Sequence, residues 1–313
     1  MRKSFSIHYK DMYDKDVFIN TRIFYARCGF KFIGVNRMNA DLIVVLRGSN
    51  LSFEYYSGQI HIYDYVKNDN DYHSILDMSD QKVKIVSLNF CDIITNHFQV
   101  AAYLPVIPDF WQKLVFLKKK KNLGITHIGS YKGLGDNIEK KLVDFIMKNS
   151  VKVYGYNWHK VGVLAKGISH FKANSTFNRS EFTLGIMYNY QRGKTLSSRA
   201  WHGPIHGCPL ISHKSEAIHG LVNIPGLIYV DDLANIDAQN LVLKEPEELR
   251  REATMYWEKQ NAQLAQDLGL TLNKGSALLE LWMFSYELIY KHYVKKMREK
   301  MPSTIRQIKK YLT

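Results

Sequence analysis

Lys194 to Ile211 reads KTLSSRAWHGPIHGCPLI and concentrates residue types that could hold a diphosphate. Ser197 or Ser198 can cap a helix, because a hydroxyl there accepts a free backbone N–H of the first turn. Arg199 then falls in that first turn, and a guanidinium beside the positive end of a helix suits paired phosphates. Pro204, Gly207 and Pro209 end the helix, and Cys208-Pro209-Leu210-Ile211 leads into an apolar strand. The plainer alternative is an ordinary helix-to-strand connection with a surface arginine. A second candidate is the loop Gly129-Ser130-Tyr131-Lys132-Gly133-Leu134-Gly135. Its backbone N–H groups could hold a phosphate. Its spacing is not GxGxxG, so a tight turn is the competing reading. His202, His206, His213 and His219 lie close in sequence but match no metal motif, and no Cys/His spacing matches a zinc site.

The elements that must position these residues read as alternating strands and helices. Asp16 to Phe30 has helical spacing, Lys31 to Val35 is a short strand, and Leu42 to Leu46 (LIVVL) is a continuous apolar run that suits a buried parallel strand. Arg47-Gly48-Ser49-Asn50 follows as a loop at a strand end, a plausible wall of a cleft. Gln59 to Val66 is another strand, with Asp64 near its end and Asp69 and Asp71 in the polar turn beyond; Val83 to Asn89 is a third. A helix-like segment CDIITNHFQVAAYL precedes the breaks at Pro105 and Pro108. From Leu123 the pattern restarts: strand, glycine loop, the amphipathic helix Asn137 to Lys148, and the strand Val151 to Tyr154 make a βαβ unit. Glu181 to Tyr190 and Leu227 to Val230 add strands. Glu245 to Leu268 is a helix with Pro246 and acidic residues at its start, and Ser276 to Lys300 is a second.

The fold class expected is α/β, with two Rossmann-like domains facing a cleft and the C-terminal helices packed across both. The boundaries expected are 1–121 for the first domain and 122–275 for the second. Residues 276–313 would form a helix and basic tail returning to the first domain. The linker sits at Lys118-Lys119-Lys120-Lys121, a charge run whose simplest reading is a solvated face. With 313 residues, 46% hydrophobic, the chain can bury a full core. A net charge of +14 favours polyanionic partners, nucleic acid or an anionic membrane surface. Three scattered cysteines, Cys28, Cys91 and Cys208, argue against a disulfide framework and for a reducing compartment. No signal core and no run of about 18 apolar residues is present, so a cytoplasmic protein with no transmembrane segment is expected.

LGITHIGSYKGLGDNIEKKLVDFIMKNSVKVYGYNW, EFTLGIMYNYQRGKTLSSRAWHGPIHGCPLI, LIYVDD and the EPEELRREA helix together resemble the nucleotide-sugar domain of GT-B glycosyltransferases. The likeness is to the CgeB-like group and to phage DNA β-glucosyltransferases. It covers roughly residues 122–260, with a looser echo at Leu42–Asn50 and Gln59–Tyr65. The resemblance implies that Arg199 contacts the donor diphosphate, with Gly129, Ser130 and Lys132 near the phosphates, Ser198 at the helix start and Trp201 as the family aromatic. The family glutamate that holds a ribose or sugar hydroxyl falls on His202, a departure that leaves open a changed donor contact or lost catalysis. It also implies a nucleotide-diphosphate sugar, a UDP-sugar above others, and no tightly bound cofactor beyond Mg²⁺ or Mn²⁺ as an activator. Asp69-Asn70-Asp71 resembles the metal-binding D-x-D of GT-A transferases but lies outside the donor half, so no residue is assigned to metal.

Sugar transfer needs fixed cations and N–H donors on the leaving diphosphate, and, for an inverting displacement, a carboxylate to take the acceptor's proton. Asp64 is the expected base. Lys118, Lys119, Lys120, Lys121, Arg192 and Lys194 are the expected nucleic-acid contacts, supplying salt-sensitive phosphate affinity. The acceptor expected is a hydroxymethylated pyrimidine in double-stranded phage DNA, flipped from the stack; the setting would then be the host cytoplasm. A surface glycan, glycolipid or protein acceptor is the alternative. A non-catalytic nucleotide- or nucleic-acid-binding protein on the same fold is a second. The sugar, the nucleobase, the anomeric outcome and the oligomeric state stay open.

Overall fold

The computed structural model describes residues 3–9, 15–46, 56–64, 83–87, 100–101, 105–113, 120–131, 136–186, 198–213, 223–237 and 241–273. Six strands form a first parallel sheet: β1 (Ser4–His8), β2 (Lys31–Val35), β3 (Leu42–Leu46), β4 (Gln59–Asp64), β5 (Val83–Ser87) and β6 (Val100–Ala101), in the order β2-β1-β3-β4-β5-β6. Six more form a second: β7 (Ile125–Ile128), β8 (Lys152–Tyr154), β9 (Ala165–Lys166), β10 (Phe182–Gly185), β11 (Leu210–His213) and β12 (Leu227–Val230), in the order β12-β11-β10-β7-β8-β9. The α-helices among the described residues are α1 (Lys15–Arg27), α2 (Pro108–Lys113), α3 (Asp136–Lys148), α4 (His170–Arg179), α5 (Arg199–Ile205) and α6 (Pro246–Asp267).

All five residues of β3 and all four of β10 are buried. Helices on both sides of a parallel sheet leave neither face wet, so such strands carry no charged residue. In α3, Leu142, Phe145 and Ile146 are buried while Lys140, Lys141 and Asp144 are exposed. That is the one-sided stripe of an amphipathic helix.

α6 follows the second sheet in sequence yet packs on the first. Its buried stripe of Leu249, Ala253, Trp257, Leu264 and Ala265 includes Asn261. Asn261 accepts from the Val106 N–H at 3.1 Å and donates to the Val106 carbonyl at 2.6 Å, so the buried amide is satisfied by the segment leading into α2. Arg27 at the end of α1 grips Glu258 of α6 with two hydrogen bonds of 2.9 and 2.6 Å. One core cluster joins Phe5, Leu42, Val44 and Trp111 of the first half to Trp201, Trp257 and Leu264.

The expectation of two Rossmann-like parallel sheets holds, and α6 packs across both halves as expected of the terminal helices. Several local expectations do not hold. Val100–Ala101, expected in a helix, is strand β6 paired with β5. Pro108, expected as a breaker, opens α2, where its missing N–H costs nothing. Pro204, expected to end the helix, lies inside α5. Neither β1, β9 nor α4 was anticipated. The expected helix 276–300, the basic tail, Arg47–Asn50 and Asp69–Asp71 lie outside the described residues.

Candidate donor site at the strand switch point

In the second sheet the strand order reverses between β7 and β10. The chain leaves β7 toward β8 and β9, and leaves β10 toward β11 and β12. Connections that diverge this way open a crevice at the carboxyl ends of the two central strands, where α/β sheets hold ligands.

Arg199, the first residue of α5, lies across that point. It donates through Nη1 to the Ile128 carbonyl at 2.9 Å and through Nη2 to the Ile186 carbonyl at 3.0 Å. These carbonyls sit at the ends of β7 and β10, so both central strands fix the guanidinium. Gly129 follows directly. A Cβ there would stand 2.9 Å from Arg199 Nη1 and 3.0 Å from His127 Nε2, so a larger residue would push the guanidinium off its place.

The loop is clasped to the end of β8. Gly129 N–H donates to the Tyr154 carbonyl at 2.8 Å, Tyr131 N–H to the Tyr156 carbonyl at 2.9 Å, and Tyr156 N–H to Ser130 Oγ at 3.3 Å. Trp158 Nε1 donates to the Gly129 carbonyl at 2.7 Å. Gly155 has φ +145°, and a Cβ on it would lie 2.2 Å from the Gly129 carbonyl oxygen. The described part of the phosphate-loop candidate, Gly129–Tyr131, is therefore a braced turn.

His127 of β7 lies behind Arg199. Its Nδ1–H donates to the Leu184 carbonyl at 2.9 Å. Burial, and then the Arg199 charge, push its pKa down to about 3, so the ring is neutral. The 3.4 Å approach of Arg199 to the same Nδ1 is then a contact without a hydrogen bond, since a protonated ring nitrogen cannot accept. A neutral ring adds no charge to compete with the guanidinium.

Ser198 occupies the cap position of α5, but its side chain makes no capping hydrogen bond and its backbone is helical. A capping hydroxyl reaches the free N–H groups from an extended backbone, and Ser198, at φ −55° and ψ −20°, lacks that conformation. His202 is 3% exposed. Its Nε2 donates to Asp16 Oδ2 of α1 at 2.8 Å, and its ring meets Trp111 edge-on at 4.9 Å and stacks on Phe177 at 6.4 Å. It ties α5 to α1 and is not presented to open space, unlike the hydroxyl-holding role the resemblance implies. α1 leaves the carboxyl end of β1, so this tie brings the carboxyl edges of the two sheets toward each other.

Lys120 is exposed. Lys121 departs from the expected nucleic-acid contact. Its Nζ donates to the Gly207 carbonyl at 2.7 Å and the Phe177 carbonyl at 3.4 Å, and burial lowers its pKa to about 8. It closes the amino edge of the second sheet, opposite to Arg199. Asp64 ends β4, paired with Ser87 at the carboxyl edge of the first sheet; its side chain lies outside the described residues. Lys118, Lys119, Lys132, Arg192 and Lys194 lie outside them as well. Among the described residues no group of three or more His, Cys, Asp or Glu could hold a metal ion. No described helix is long and apolar enough to cross a membrane.

Sequence reasoning missed Asp16, His127 and Trp158. The one signal was a histidine inside the apolar strand LGITHI, where a polar ring must find a fixed partner.

No protein-family model matches the sequence, and no curated protein matches it. Solved structures do. AviGT4, a glycosyltransferase involved in avilamycin A biosynthesis, superposes with a TM-score of 0.54 at 9% identity, over 85% of this chain and 97% of that one. The DNA-modifying enzyme β-glucosyltransferase, solved with and without uridine diphosphoglucose, gives 0.52 at 11% identity, over 85% and 97%. The T4 phage enzyme in complex with UDP and Mn²⁺ gives 0.51 at 10% identity, over 85% and 99%. At these identities the likeness shows the fold, which is the GT-B arrangement.

Proposed function

We propose that the chain is a glycosyltransferase that moves a sugar from a nucleotide-diphosphate sugar to a hydroxyl acceptor. The observation that carries the reading is Arg199, pinned by the Ile128 and Ile186 carbonyls at the switch point beside the braced Gly129–Tyr131 turn. A leaving diphosphate gains negative charge as the glycosidic bond breaks. A guanidinium already held in place stabilises that charge without reorganising. Gly129 and Ser130 line the same turn, and Lys132 follows it. UDP is the favoured nucleotide, supported by the UDP and uridine diphosphoglucose bound to the T4 enzyme and to β-glucosyltransferase. The division at residues 121 and 122, with 276–313 returning to the first domain, belongs to the same reading.

Asp64, at the carboxyl edge of the first sheet, is the proposed base for the acceptor hydroxyl. His202 is reassigned to positioning, since it holds α5 and thereby Arg199. Mn²⁺ accompanies UDP in the T4 enzyme; here a divalent cation, as Mg²⁺ or Mn²⁺, would act as an activator.

For the acceptor, the likeness to a DNA-modifying enzyme and the +14 charge support a hydroxymethylated pyrimidine in double-stranded DNA. The second reading is a glycan or glycolipid acceptor at an anionic membrane. It is favoured by Leu164, 95% exposed in a lysine-rich stretch. The test incubates the full chain with a panel of nucleotide sugars and either 5-hydroxymethylcytosine DNA or membrane glycolipid, read by mass spectrometry. A sugar-sized mass gain names donor and acceptor together. Donor binding without transfer to any acceptor would instead leave a non-catalytic nucleotide-binding protein.

A further inference from the structure

The last two strands of the second sheet carry a surface that the donor site does not use. Residues 145–180 contain no Asp or Glu, although the chain has 29, and they include Lys148, Lys152, Lys160, Lys166, Lys172 and Arg179. Strand parity gathers part of that charge on one face. β8 and β9 pair through Val153↔Ala165 and Tyr154↔Lys166. Lys152 and Tyr154 therefore share a face with Lys166 and with Leu164, the residue before β9. Val153 turns the other way, into the core with Phe145 and Ile146.

Toward the centre of the sheet the same face continues through Ile128, the partner of Tyr154 on β7. There Ala173 and Phe177 of α4 cover it. At β8 and β9, Lys152 and Lys166 are exposed and Leu164 is 95% exposed. The exposed Leu164 thus lies level with Lys152 across the ladder and two residues from Lys166 along the strand, with half-buried Tyr154 on the same face.

We propose that this face rests on an anionic lipid bilayer. The boundary between headgroups and acyl chains accepts an exposed leucine, and a tyrosine suits headgroup level. Lysines reach lipid phosphates while their stems cover apolar surface. A DNA duplex would engage the lysines but offers Leu164 nothing to bury against. A second copy of this chain would set Lys152 and Lys166 against like charge. The face lies on β8 and β9, whereas Arg199 spans the ends of β7 and β10. The inference does not depend on the glycosyltransferase reading.

The test is co-sedimentation of the full chain with phosphatidylcholine vesicles, with and without phosphatidylglycerol. Binding is expected only with the anionic lipid and weakens with salt. The double variant Lys152→Glu, Lys166→Glu should lower the partition constant by roughly 25-fold or more, about fivefold per lysine. Leu164→Ser should remove the part of the binding that survives high salt. Both variants should keep the wild-type UDP affinity, and Arg199→Ala should keep vesicle binding, so failure here and failure of the donor site are told apart. Three outcomes each overturn the proposal: wild-type protein that ignores anionic vesicles, vesicle binding unaffected by the variants, or duplex DNA binding lost in the double variant while vesicle binding persists.

Discussion

Arg199 spends two of its donors on backbone carbonyls, at 2.9 and 3.0 Å, and those bonds aim the guanidinium. Its replacement therefore tests both charge and aim. Arg199→Ala is expected to weaken UDP binding by about 1.5–3 kcal/mol, the usual loss for a charge-assisted contact. Calorimetric titration measures it, and an unchanged affinity would remove Arg199 from the donor site. Lysine should rescue little, because an ammonium cannot span both carbonyls. Asp64 makes the complementary case. Asp64→Asn keeps the shape of the strand end but cannot take a proton, so it should bind UDP normally and lose transfer by about 100-fold or more. Normal turnover would send the search for the base to Asp69 and Asp71.

At the scale of elements, α5 does two jobs in seven residues. Its first residue holds the switch point, and the residues from Ala200 to Ile205 are all buried. Trp201 meets Trp257 of α6 edge-on at 6.1 Å, while His202 reaches Asp16 of α1. Asp16 keeps only 14% of its side chain exposed, so replacing His202 takes a hydrogen bond away from a mostly buried carboxylate. His202→Ala should cost about 1.5–3 kcal/mol in urea unfolding, the usual loss for a hydrogen bond to a charged group. His202→Gln can still donate to the carboxylate and should cost clearly less. Equal losses in the two variants would mean that the hydrogen bond is not the source. The alanine variant should also bind UDP more weakly, because Arg199 lies on the same short helix.

For the whole molecule, buried neutral histidines set a pH limit. His61, the acceptor of the Tyr25 hydroxyl, and His127 each have pKa values lowered to about 3, chiefly by burial. Burial also holds His206 well below its usual value. Between pH 3 and 6.5 the unfolded chain binds protons that the folded chain refuses. The stability these rings contribute is therefore complete above about pH 6.5 and falls as the pH drops below it. Each contributes a slope of up to about 1.4 kcal/mol per pH unit. Urea midpoints at pH 7, 6 and 5 check this, and a flat profile down to pH 5 would show that the rings accept protons without unfolding.

Periodicity alone located the long apolar and amphipathic elements, because burial on both faces or on one stripe leaves its mark in residue order. The run LIVVL became β3 at Leu42–Leu46, LIYV became β12 at Leu227–Val230, and the Pro-started acidic turn became α6. Gly129 and Arg199 were legible as candidates because glycine and arginine have narrow uses. Short or isolated elements were not: the two residues of β6 and the two of β9 are strands only because a neighbour supplies the ladder. Nor does sequence say which partner a polar side chain meets. Lys121 was expected to face nucleic acid, and it closes on the Gly207 carbonyl; His202 was expected to face a ligand, and it meets Asp16, 186 positions away. Local order sets what a segment can become, through propensity and pattern, whereas pairings across the chain depend on the distances that packing creates, and those exist only in the folded molecule.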